Sequence, residues 1–126
     1  MSFSNTLETN VLKWAFTADA VTRPTAWYVA LYTSDPAEDN SGTEISGSAY
    51  ARTSATFTVS GNEATTSAAV EFPEATGSWG TVSHVAVFDA STGGNMLAYA
   101  ALTTAKAIGA GDILRIPAGD LDITLD

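Results

Sequence analysis

The sequence predicts an all-β fold, a two-sheet β-sandwich of about seven strands with one N-terminal α-helix. Three observations lead there. Ala, Thr, Ser and Gly dominate while only 15% of the residues are charged, a composition that disfavours long helices and suits short strands joined by turns. Apolar residues recur with a period of two through most of the chain after residue 26, whereas a helical period is found once, near the N-terminus. Turn sequences separate the period-two runs at short intervals: Ser60-Gly61-Asn62, Ser91 to Asn95, Gly109 to Asp112 and Pro117 to Gly119. The 126 residues predict one domain, residues 1–126, because a chain of this length buries a core without covalent help.

The helix is expected over about residues 4–17. Asn5 as N-cap with Glu8 three positions on makes an arrangement like a capping box. At about 100° per residue, Leu7, Val11, Trp14 and Ala18 form one seam, to be covered by the protein's own sheet, while Leu12 and Phe16 lie well round from it. Only a narrow polar strip remains, so the helix needs cover on more than one side.

The first strand is Ala26 to Thr33, apolar or aromatic on both parities and therefore central, with Trp27, Val29 and Leu31 on one face and Tyr28, Ala30 and Tyr32 on the other. Residues 34–47, with a proline, two glycines and the carboxylates Asp35, Glu38, Asp39 and Glu44, form a long surface loop. Ala55 to Val59 and Thr66 to Phe72 alternate about a glycine turn and predict a hairpin. Thr81 to Asp89 is a second two-faced strand, with Val82, His84, Ala86 and Phe88 on one side and Val85 and Val87 on the other. Met96 to Thr103 returns from it. Ile113 to Ile116 follows, and Leu121 to Leu125 alternates with Asp120, Asp122 and Thr124 as a half-exposed strand with an acidic outer face.

Charge and composition exclude several function classes. Fourteen acidic residues against five basic ones give a net charge of −9, which repels phosphate backbones and anionic headgroups, so neither nucleic acid nor a membrane surface is expected as a partner. No apolar run approaches the roughly 20 residues that span a bilayer, and the N-terminus carries no signal-peptide pattern. There is no cysteine, hence no disulfide framework and no thiolate site.

The search for chemistry yields little. His84 is the single histidine, which excludes a multi-histidine metal centre and leaves any Ser-His-Asp triad with one base; a hydrogen-bonded core or seam role is favoured. There is no nucleophile elbow and no phosphate-cradling glycine loop. Acidic pairs such as Glu71 with Glu74, or Asp120 with Asp122, are expected in so acidic a chain and read as solvated surface rather than a glycosidase pair. The acidic loop offers oxygen ligands but misses the calcium-loop spacing. No catalytic, cofactor or metal residues are assigned, and the protein is not expected to be an enzyme. Trp14, Trp27, Trp79, Tyr28, Tyr32, Tyr50 and Tyr99 read as core and interface anchors. Arg52 and Arg115 are candidates for pairing with a carboxylate at a strand edge.

Several short stretches, in order and spacing, are similar to one family. They are Tyr28-Val-Ala-Leu-Tyr-Thr33, Gly42 to Gly47 leading to Tyr50-Ala-Arg52, Val70-Glu-Phe-Pro73, Trp79-Gly-Thr-Val-Ser-His84, Phe88-Asp-Ala90, Gly93 to Leu97, Gly111-Asp112 and Ala118 to Leu121. Together they resemble a family of small tailed-bacteriophage virion structural proteins of the tail-fibre-like kind, nearly end to end. The resemblance implies a non-enzymatic virion component, assembled in the host cytoplasm, that docks on capsid or tail subunits as a decoration or cement protein or as a tail-fibre-like part. It carries over no catalytic residue. A host-receptor or carbohydrate-binding module at the tail tip is the alternative. Because Leu12 and Phe16 exceed what one small sandwich can cover, they are the expected subunit interface, with other virion proteins or in a homo-oligomer.

Overall fold

The computed structural model describes residues 1–125. Strand accounts for 38% of the chain and helix for 10%, which places it in the mostly β class. The elements are β1 (Ser2–Phe3), α1 (Asn5–Phe16), β2 (Tyr28–Tyr32), β3 (Thr53–Ser54), β4 (Phe57–Ser60), β5 (Glu63–Thr66), β6 (Val70–Glu71), β7 (Gly80–Phe88), β8 (Met96–Ile108), β9 (Arg115–Ile116) and β10 (Asp122–Thr124). Among the described residues these are ten strands in three antiparallel sheets, where about seven in two are expected from the sequence: a five-stranded sheet ordered β1-β8-β7-β2-β3, a three-stranded sheet β10-β5-β4 and a two-stranded sheet β6-β9. The excess is β1 and β3, two residues each and too short to show a period, and β6, split from β5.

The five-stranded sheet is apolar on both faces, as the two-parity pattern of β2 requires. On one face Val29, Leu31, Val82 and Val85 pack with Val70 of β6, Ile116 of β9, and Phe72, Trp79, Leu114 and Leu121 in the larger core. Its aromatic centre is ordered: Tyr50 stacks near-parallel to Phe72 at 6.5 Å and edge-on to Trp79 at 5.5 Å. On the opposite face Ala30, Tyr32, Ala86, Phe88 and Met96 make a smaller core with Tyr99 beside it. Part of the loop after β2 seals that side. Pro36 is among the fully buried side chains, and the Tyr32 hydroxyl donates to Asn40 Oδ1 at 2.6 Å. Gly42 closes the loop on itself, for a Cβ there would meet the carbonyl oxygen of Asp35 at 2.5 Å.

One face assignment needs correcting. Alternation puts Val82 with His84, Ala86 and Phe88, but the β7–β8 register shifts between Val82, opposite Lys106, and His84, opposite Ala101. The irregularity turns Val82 onto the side of Val85, in the larger core. On β8 it leaves Leu102 to Ala105 without a register partner on β7. The hairpin β4–β5 is present, its turn opened by Gly61 at φ +61°, a region glycine enters without steric cost. Its second strand is Glu63–Thr66, however, which meets the expected Thr66 to Phe72 only at Thr66, and Val70 belongs to β6 instead.

Candidate interaction surface

The helix is fixed at one end and free at the other. Its N-cap is Ser4, not Asn5: the Ser4 hydroxyl accepts from the Leu7 amide at 3.1 Å and itself donates to the Met96 carbonyl. The Ser4 amide donates to Leu97 O at 2.8 Å and the Asn5 amide to Glu38 O at 3.0 Å. One buried serine thus satisfies an orphan amide and ties the first turn to the start of β8. Glu8 in the first turn and Lys13 in the last match the helix dipole. The chain leaves the helix at Thr17, whose amide and hydroxyl both donate to Lys13 O.

From Leu12 onward the helix has little cover. Leu12 is 58% exposed, Trp14 75% and Phe16 81%, so the last turn presents large apolar groups on more than one side. Periodicity puts Trp14 in the seam against the protein's own sheet; in the structure it lies outside. The physical reason is that cover ends at Val11: Leu7, Asn10 and Val11 are partly buried, and every helical residue beyond them is exposed. Trp14 instead walls an open groove of about 400 Å³ with Leu7, Asn10, Val11, Val21, Thr22, Arg23 and Pro24. Leu12 and Phe16 are carried on the other side of the helix, roughly 140–180° round from Leu7 at 3.6 residues per turn.

A polar clamp lies at the β7–β8 turn. Arg52 binds Glu44 in a two-point fork, Nε to Oε2 at 2.9 Å and Nη2 to Oε1 at 2.8 Å. Its Nη1 donates to the carbonyls of Ala90 and Gly93 at 3.1 and 2.7 Å. The guanidinium lies 3.6 Å from the centre of the Phe88 ring. Tyr50 donates to Glu44 Oε2 at 2.7 Å and accepts from the Leu31 amide at 3.0 Å. Burial pushes the Glu44 carboxyl upward, but hydrogen bonds from Arg52 and Tyr50 and the Arg52 charge outweigh it, so it sits below its ordinary value. Burial raises the Tyr32 hydroxyl to about 12, helped by the nearby Glu44 charge, and burial with the bond to Glu44 raises Tyr50 further. The clamp pins the loop after β2 to the β7–β8 turn and holds fixed side chains, none presented to a ligand.

The other residues singled out from the sequence are dispersed. His84 is half-buried on β7; Ser83 Oγ lies 2.8 Å from its Nδ1, and Asp35 Oδ1 lies 4.0 Å from its Nε2. None of the three lines a groove described here. In the acidic loop, Asp35 accepts from the Ala37 amide and Asp39 from the Ser41 amide, while Glu44 turns inward to Arg52, so the carboxylates hold their own turns rather than converge. Among the described residues no group of three or more His, Cys, Asp or Glu side chains is placed to share a metal ion. Glu71, Glu74, Asp120 and Asp122 are exposed, and Arg115 stands opposite Glu71 in the β6–β9 ladder. Of all the aromatic residues only Trp14 and Phe16 are fully exposed, and both belong to the free end of α1.

Two features escape a sequence reading. The groove beside Trp14 needs residues 21–24, which carry no period. A second, wider groove of about 670 Å³ runs between β8 and residues 114–122, and it depends on the irregular register of β8.

A family model described as Podophage GP4 fiber I protein gp80 matches residues 2–124. No curated protein matches the chain.

Proposed function

We propose that the chain, which belongs to the Podophage GP4 fiber I protein gp80 family, docks onto other virion subunits through the free end of α1, with Leu12 and Phe16 at the centre of the contact. Family membership makes it a phage fibre-type protein and a structural component of the virion. The family description favours a place in the tail fibre apparatus over capsid decoration. No helix among the described residues is long and apolar enough to cross a membrane.

One observation carries the reading: the only exposed aromatic side chains, Trp14 and Phe16, are gathered with the exposed Leu12 at one end of α1. Burying Leu12 and Phe16 against a partner is worth about 1.5–3 kcal/mol each, a driving force that the isolated chain leaves unused. Aromatic anchors of this kind dominate the energetics of protein interfaces. The chain acts as one domain in this role, by binding rather than by catalysis.

The test is Leu12→Asp with Phe16→Asp. The variant is expected to keep the circular dichroism and melting curve of the native chain and to lose co-purification with virions. Normal attachment to particles overturns the reading, and so does unfolding, since that would show the two residues to be core.

A further inference from the structure

Resting on that docking reading, we infer that one occupant of the helix end is a second copy of this chain, joined head to tail: Leu12 and Phe16 of one copy enter the groove beside Trp14 of the next. The two halves of such a contact lie on opposite sides of the same helix. Leu12 and Phe16 project one turn apart, a span of roughly 6 Å. The groove opens over Leu7, Val11 and Trp14, about two turns, and is closed on its far side by Val21 and Pro24. Its volume of about 400 Å³ is in the range of clefts that hold apolar groups.

Charge identifies the occupant. Glu8 stands one turn before Leu12 on the projecting face, and Arg23 stands at the groove; both are exposed. Arg52 pairs with Glu44, and among the described residues neither Glu8 nor Arg23 has a charged partner within 4.0 Å. Arg23 is one of only five cations in a chain of net charge −9, and a head-to-tail contact sets it against the Glu8 of the neighbour. A twofold contact of Leu12 and Phe16 on themselves leaves Arg23 unmatched and the groove empty. A contact between different patches is heterologous, and it propagates until a ring closes or a filament grows.

Two full-length variants test the arrangement. One is Leu12→Asp with Phe16→Asp, which spoils the projecting face. The other is Trp14→Ser with Arg23→Glu, which spoils the groove at two exposed positions. Sedimentation is expected to show assembly of the native chain, monomers of each variant alone, and dimers but nothing larger in their equimolar mixture, because one intact interface remains in each mixed pair. The double exchange Glu8→Arg with Arg23→Glu is expected to restore assembly lost in either single exchange. A native chain that stays monomeric, a groove variant that assembles like the native chain, or a mixture that stays monomeric overturns the inference. The docking reading fails separately: it falls if the Leu12, Phe16 variant still attaches to virions, and it survives if that variant detaches while the groove variant remains bound.

Discussion

Two regions of this molecule, the clamp and the free end of α1, treat large side chains in opposite ways. At the clamp, Arg52, Glu44, Tyr50 and Tyr32 have their hydrogen-bonding groups matched within the chain, and Phe88 is covered by a guanidinium. At the free end of α1, Leu12, Trp14 and Phe16 lie in the open although each has the chemistry of a core residue. The first arrangement explains itself as stability. The second does not, since a chain gains nothing in isolation by projecting two aromatic rings into water. The contrast separates residues that hold the fold from residues that await a partner.

The sharpest way to break that contrast is to make one substitution in both regions. Phe72→Ala empties a site that is 2% exposed and is expected to cost about 3–5 kcal/mol. Phe16→Ala is expected to stay within about 0.5 kcal/mol of the native chain. Denaturant melts of the two variants decide it, and comparable losses would mean that α1 packs elsewhere in solution.

Next in size is the clamp. Glu44→Ala leaves the Arg52 guanidinium, whose side chain is 9% exposed, without its carboxylate, and a loss of about 3 kcal/mol is expected. The pH dependence has a definite sign. Glu44 titrates below its ordinary value in the folded chain, so its stabilising contribution is complete above the unfolded value near 4.5 and disappears as pH falls through the folded value. Glu44→Gln is therefore expected to flatten the acid limb of stability measured from pH 7 downward. An unchanged acid limb would show the fork to be energetically idle.

Smaller again is the attachment of the helix. Ser4→Ala removes a cap and a bond to Met96 O and is expected to cost about 1–2 kcal/mol. Helix amide exchange should rise together with it, whereas Asn5→Ala should be milder because Asn5 is not the cap.

How far these regions were legible in the sequence differs for physical reasons. The helix, β2, β4 and β7 announce themselves because each shows a period, and the β4–β5 turn because it holds a glycine; β5 does not, for the alternation lies after it, in Thr66 to Phe72. The exposure of Leu12 and Phe16 was legible too, because the helix carries more apolar arc than one sheet covers. Trp14 was not, since periodicity fixes a residue's angle about the helix axis but not whether the body extends far enough along that axis to meet it. The N-cap was misplaced by one residue because Ser4 and Asn5 are both good caps, and the choice falls to the contact of Ser4 with Met96 and Leu97, some ninety residues away. Val82 changed face through a register irregularity that alternation cannot show. The pairing of Arg52 with Glu44 was open in the sequence among many carboxylates and is settled by the β2–β3 ladder and the bridge from Tyr32 to Glu44, which bring the two side chains together.

The central claim is that the free end of α1 is covered in the particle and bare in the isolated chain. Hydroxyl-radical footprinting reads this directly, because Trp14 and Phe16 are both reactive and both exposed, while Trp79 is an internal control that is 4% exposed. The account predicts strong modification of Trp14 and Phe16 in the isolated chain, a severalfold decrease at both in intact virions, and little modification of Trp79 in either. Equal modification of Trp14 and Phe16 in the isolated chain and in the virion would contradict it.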